Sequence, residues 1–281
     1  MPTPLAPWRV AAISFLNTAP LLWGLEREPR LRMIASVPSE CADRLRSGEA
    51  DLGLIPVIEM ARIPGLAALP ELCIAARTQV RSILLISRCE PEKIRTLQLD
   101  RSSRTSAALA QIMLRRRYGT QVLIQEAAPD WRAMLRAADA GLLIGDPALR
   151  LQLGGEAESE GCRVLDLAAE WHAWTGLPFV FALWAVRRKA FSNLADAVWL
   201  TRRLVRARTE GFAHLREISR DWSRRLEIPE AEITHYLRYN LEHQLQNDHL
   251  DGLRRFLEMA AEEGLIASFT MPDMLLQEAP S

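Results

Sequence analysis

Residues 178–186, Pro-Phe-Val-Phe-Ala-Leu-Trp-Ala-Val, form an apolar run with no polar break. A half-exposed strand alternates apolar and polar residues, so a run this uniform is expected to be buried on both faces, as strands are in layered α/β proteins. The first third of the chain fits that class. Strands are expected over 10–15, 31–37 and 52–55, the last ending at Pro56, with a helix capped by Ser39 and running to about Ser47 between the second and third. Such alternation implies parallel pairing through right-handed crossovers. Ile83-Leu84-Leu85-Ile86, within 82–87, reads as a further strand before a connection containing Pro91.

A second α/β block follows, with a helix over 107–118, a strand over 122–126, a helix over 131–138 and a strand over 141–144 that enters Gly145-Asp146-Pro147. From Ser192 the pattern turns helical. Leu194, Val198, Leu204 and Val205 fall at helical spacing, Pro229 opens another helix, Asn247 precedes the last and Gly264 stops it. These helices are expected to cover the first lobe. The runs 82–87 and 179–186 flank the second block, so they are expected to be adjacent strands joining two lobes. The first lobe would comprise 1–87 and 187–281, and the second, inserted lobe 88–186. A hinged two-lobe protein with a ligand cleft follows; a rigid two-domain protein with a packed interface is the competing arrangement.

The chain has 281 residues, about twice the commonest domain size, and 49% of them are hydrophobic, enough for two cores. Basic and acidic residues balance at 35 each, and the arginines are spread through helices such as 115–117 and 202–208, so no nucleic-acid footprint is visible. Cys41, Cys73, Cys89 and Cys162 lie far apart without a Cys-x-x-Cys pair or a nearby histidine at ligand spacing, which suggests neither a zinc site nor a disulfide framework. The first nine residues carry three prolines and no apolar stretch, so they are not expected to act as a secretory signal. No segment has transmembrane length and purity, and a reducing cytoplasm is the expected compartment.

Chemistry concentrates at two places. Asn17 follows the first strand where a helix begins, with Pro20 suited to its first turn; Asn17 or Thr18 can cap the orphan amides, or Asn17 can face a ligand at the carboxyl end of the sheet. Ser102-Ser103-Arg104-Thr105-Ser106 sets hydroxyls, amides and a guanidinium at a helix start, where a carboxylate or phosphate is favoured. An ordinary cap with Arg104 in water is the alternative. Phosphate-loop, His-Glu-x-x-His, Gly-x-Ser-x-Gly and Gly-x-Gly-x-x-Gly motifs are absent. His235 and His243 are read as packed residues on adjoining turns of one helix, and His172 as a weak acid/base candidate.

The segments Ile13-Ser14-Phe15-Leu16-Asn17-Thr18, residues 48–56, Val80-Arg81-Ser82-Ile83, Ser103-Arg104-Thr105-Ser106, residues 143–149, residues 174–181 and Tyr236-Leu237-Arg238-Tyr239-Asn240 occur in an order that resembles the chorismate dehydratases of the futalosine route to menaquinone. The resemblance runs from about Arg9 to Ile266. It implies an α/β, two-lobe type II periplasmic-binding-protein-like fold with mixed sheets, and conversion of chorismate to 3-[(1-carboxyvinyl)oxy]benzoate and water without metal or redox cofactor. By resemblance Asn17 is the catalytic residue. Ser14, Thr18, Pro56, Ser82, Ser87, Ser103, Arg104, Thr105, Ser106, Gly145, Asp146 and Phe179 are the candidate substrate contacts. Ser82 and Ser87 sit five apart on a strand, so at most one should face the cleft. The proton acceptor stays open between a substrate carboxylate, a water and Asp146. A sister enzyme of the pathway, which makes a dihydroxynaphthoate, usually opens with Ser-Pro-Cys-Pro-Asn-Asp-Thr, absent here. A non-catalytic carboxylate-binding protein is the other alternative.

Overall fold

The computed structural model describes residues 6–191 and 193–275; expectations resting on residues 1–5 and on Ser192 lie outside the described residues. In chain order the strands are β1 (Trp8–Ile13), β2 (Leu31–Ser36), β3 (Leu52–Pro56), β4 (Leu66–Ala76), β5 (Ile83–Ser87), β6 (Thr96–Asp100), β7 (Leu123–Ala127), β8 (Ala140–Ile144), β9 (Arg163–Asp166), β10 (Phe179–Arg187) and β11 (Glu242–Gln244). They build two mixed sheets, ordered β11-β4-β10-β3-β1-β2 and β7-β6-β8-β5-β9. In the first, β1 pairs in parallel with β2 and β3, and β10 runs antiparallel between β3 and β4. In the second, β6 is parallel to β7 and β8, and β5 is antiparallel to β8 and β9.

All of β10 except Arg187 is buried, as its uniform apolar run requires. Its neighbour differs from the expected one. β5 lies inside the five-stranded sheet and β10 inside the six-stranded sheet, so the two runs are not adjacent. Each run is buried on both faces and completes the interior of one sheet, so the chain changes sheets in the short segments before them, 77–82 and 176–178. The change therefore precedes both expected boundaries, 87/88 and 186/187. Asp166 braces the first passage against the helix that leads to the second. Its carboxylate accepts from Val80 N at 2.9 Å and Arg81 N at 2.5 Å, holding Arg81 at φ +60, and also from Ala168 N and Ala169 N at the start of the helix Leu167–Thr175.

The carboxyl ends of β1 and β3 meet the amino end of the helix Thr105–Arg116, which follows β6, and this convergence makes the cleft. The helix Leu194–Ala213 packs on the short helix Ala19–Leu22, and the helix Asn247–Glu262 packs against β10. Among the described residues no helix is long and apolar enough to cross a membrane. At Gly211 the first of these contacts is so close that an added Cβ would lie 2.2 Å from the carbonyl oxygen of Pro20. Alanine is the better helix former by about 1 kcal/mol, but backbone cannot yield that distance without separating the helices. Gly211→Ala should therefore lower stability by about 1–3 kcal/mol, seen as a lower urea midpoint with an unchanged m-value; a midpoint at or above wild type would show that this contact carries no constraint.

Candidate active site

A cavity of about 50 Å³ lies between the sheets, room for a few waters. Ile13, Phe15, Asn17, Pro56 and Ile74 line it from the six-stranded side, and Ser82, Ser102 to Ser106 and Gly145 from the other. Phe181 and Ala182 both reach it although they are consecutive in β10. A register shift between Val180 and Ala182 breaks the alternation that would otherwise send them to opposite faces.

Asn17 sits in the single 3-10 turn Leu16–Thr18 that ends β1. Neither that turn nor the following helix receives a side-chain cap, so the capping role open to Asn17 and Thr18 is not taken up. The turn is instead held by its backbone. Leu16 N donates to Asp146 Oδ1 at 2.9 Å, Asn17 O accepts from His243 Nε2 at 2.8 Å, and the Thr18 hydroxyl donates to Ile13 O and Phe15 O at 2.7 and 2.9 Å. With these anchors in place the Asn17 amide is left to the cavity, and its Oδ1 is buried with no hydrogen-bond partner. Thr18 is thereby corrected from substrate contact to turn-holder. Ser14 is corrected too: it is exposed and borders a separate groove.

The facing wall is the Ser102–Ser106 segment. Asp100, buried at the end of β6, accepts from Ser102 N and Oγ at 2.9 and 2.7 Å and from Ile144 N at 3.4 Å, which fixes the loop. Ser103 Oγ is buried without a partner, and the first-turn amides of the twelve-residue helix beyond it have no intrahelical acceptor. Thr105 Oγ1 accepts from Ile58 N at 3.4 Å across the cleft. Arg104 is neither in water nor free for an anion. It pairs with Asp43 at 2.7 Å and with Glu59 at 3.1 Å, because Glu59, only 1% exposed, requires cationic partners and also takes Arg46 at 2.5 Å and Arg62 at 2.9 Å. Three guanidiniums thus meet two carboxylates, leaving one positive charge in excess beside the cavity.

Ser82 lines the cavity with its Oγ 2.8 Å from the hydroxyl of buried Tyr236. Ser87 lies at the far end of β5 and donates to Cys89 O at 2.7 Å, so it is outside the site. Phe179 is likewise outside, packed on Trp171, Phe181 and Phe256. Gly145, at φ +68, lies so close to Phe15 that a Cβ would be 2.7 Å from that ring, and the two residues line the cavity from opposite lobes. Asp146 faces the Leu16 amide and not the cavity. His243 is in β11, not on a helix with His235, because Tyr236–Asn240 is a π-helical turn that ends the preceding helix. Phe15, Phe181 and Tyr236 lie within the segments that carry the resemblance but not among the candidate contacts, Glu59 carries no local sequence signal, and His243, read from the sequence as a packed residue, reaches the Asn17 carbonyl. Among the described residues no three His, Cys, Asp or Glu side chains converge to hold a metal ion.

Burial lifts the Asp146 carboxyl to about 6, against the Leu16 amide and Arg150, which favour its ionised form. The folded state then binds this proton more tightly than the unfolded chain. The resulting stabilisation is complete below about pH 4 and is lost as pH rises through about 6. Asp146→Asn should flatten the pH dependence of urea unfolding in that window, where wild type loses about 2–3 kcal/mol from this group. An unchanged slope would mean that Asp146 titrates normally.

The sequence model of a family described as menaquinone biosynthesis matches residues 8–262. A chorismate dehydratase of Thermus thermophilus is 30% identical over 272 residues, covering 90% of this chain and 95% of that one. Among solved structures, an Archaeoglobus fulgidus protein superposes with a TM-score of 0.70 at 17% identity, covering 92% of this chain and 98% of the other. The periplasmic aliphatic sulphonate binding protein of Escherichia coli superposes with a TM-score of 0.62 at 14% identity, covering 99% and 96%. These likenesses show the two-lobe, periplasmic-binding-protein-like fold alone. The family match, spanning both sheets and both walls of the cavity, is the closer statement: this chain belongs to the menaquinone biosynthesis family.

Proposed function

We propose that the protein is a chorismate dehydratase, a carbon–oxygen hydro-lyase that converts chorismate to 3-[(1-carboxyvinyl)oxy]benzoate and water. One observation carries the reading: two buried polar atoms without partners, Asn17 Oδ1 and Ser103 Oγ, face one cavity from opposite sheets. Buried polar groups are normally satisfied, and leaving one unpaired costs about 1–3 kcal/mol. Chorismate, with two carboxylates and one hydroxyl, supplies partners for both. The T. thermophilus relative bears the name of this activity.

The chemistry suits a cleft with this lining once the lobes part, since about 50 Å³ holds only a few waters. Loss of the C4 hydroxyl and the C3 hydrogen aromatises the ring, so the step is strongly downhill. The C3 hydrogen is vinylogous to the ring carboxylate, and negative charge flows into that carboxylate as the proton leaves. In this reading Ser103, Ser106 and the first-turn amides beyond Arg104 bind the ring carboxylate and stabilise the developing charge, aided by the net positive charge of the ion-paired Glu59 cluster. The Asn17 amide hydrogen-bonds the reacting C3–C4 edge. Amides are poor bases and Asp146 is turned to Leu16, so the proton passes to a substrate carboxylate or to water. Pro56, Phe181 and the Phe15–Gly145 contact exclude solvent and orient the ring. The sheets belong to lobes that part at 77–82 and 176–178 to admit substrate.

The purified protein given chorismate alone should release 3-[(1-carboxyvinyl)oxy]benzoate, resolved chromatographically from prephenate and 4-hydroxybenzoate. Chorismate binding without any product would favour a carboxylate-binding protein, and neither binding nor product would sink both readings.

A further inference from the structure

The segment 236–244 touches the cavity walls twice from behind. Tyr236 reaches Ser82, and His243, six residues beyond the first π residue's neighbour Leu237, reaches Asn17. The same π turn reaches the crossing segment through Asn240 Nδ2, 3.4 Å from Gln79 O. Such turns are rare and recur at functional sites. A carbonyl can only accept, so His243 Nε2 is the donor to Asn17 O. In the neutral ring that tautomer leaves Nδ1 an acceptor, and Nδ1 is buried with no partner. The ring is 3% exposed, with Phe212 edge-on at 5.4 Å. Burial, reinforced by Arg208, takes its pKa down to about 4 against the pull of the Asn17 carbonyl, so the ring is neutral at pH 7. An apolar residue would fill this site without stranding a polar atom. What it would not do is hold the Asn17 carbonyl.

We infer that His243 is a positioning residue for the reaction, its Nε2–H fixing the peptide that aims the Asn17 amide into the cavity. The inference rests on the reading of Asn17 as the working amide. His243→Leu removes the donor at similar volume, whereas His243→Gln retains an N–H. Misaiming a group that acts only in the transition state should lower kcat by about 10–100-fold with KM little changed. His243→Gln should recover most of the loss, which a purely packing role would not predict. Nitrogen-15 NMR of histidine-labelled wild type at pH 7 supplies a readout independent of turnover and of whether His243→Leu folds. The His243 signals, identified by their loss in His243→Gln, should report the Nε2–H tautomer. An Nδ1–H tautomer, or a folded His243→Leu with wild-type kcat, would overturn the inference while wild-type activity leaves the dehydratase reading standing. An inactive wild type would overturn that reading and the role built on it.

Discussion

The 3-10 turn Leu16–Thr18 is fixed through its backbone so that one side-chain amide can remain unpaired. Asp146 takes the Leu16 amide, His243 serves the Asn17 carbonyl, and Thr18 bonds the end of the strand it follows. These anchors come from opposite sides, Asp146 from the five-stranded side and His243 from β11 in the six-stranded sheet. The Asn17 amide therefore sits where it does only when both sheets are assembled around it. Its unmet hydrogen bond is a cost to the fold, of the kind that stability alone would remove.

Closure has the same logic. The Asp146–Leu16 bond, the Thr105–Ile58 bond, the Arg104 ion pairs and the bonds from Arg150 to the carbonyls of Leu226 and Arg225 all span the two sheets. Parting the lobes would break them together, and the Phe15–Gly145 contact with them. The Arg104–Asp43 pair is partly exposed and worth little alone, whereas Glu59 is buried and depends on its arginine partners. Their contribution is to place charge: Glu59 gathers three arginines, so the ion-paired cluster behind the Arg104 wall carries net positive charge.

Much of the first sheet was legible. β3 and β10 are apolar runs, and β1, β2 and β3 end within two residues of the expected positions. β4 was not, because it is rich in Leu and Ala and is broken by Pro70-Glu71, where Glu71 takes φ +70 and the register with β10 shifts. The pairing of β5 and β10 was misjudged because burial on both faces says that a strand is central without saying in which sheet. In the site, Asn17 and the hydroxyl-rich helix start were visible as local patterns. Their partners were not. Asp43 and Glu59 precede Arg104 by dozens of residues, and His243 follows Asn17 by 226, so only the folded chain brings them together. Thr18, Ser14, Ser87 and Phe179 were misplaced for a related reason: their neighbours in sequence suggested the cleft, while hydrogen bonds and packing at those points turn them elsewhere.

The central claim is that the Asn17 amide is kept unpaired for chemistry. The most direct measurement is the turnover of Asn17→Ala on chorismate, taken with its thermal unfolding. Removing a preorganised hydrogen-bonding group should lower kcat by roughly 100-fold or more, while the variant, freed of a buried unmet acceptor, should unfold at or above the wild-type temperature. A well-folded Asn17→Ala with wild-type kcat would contradict the account.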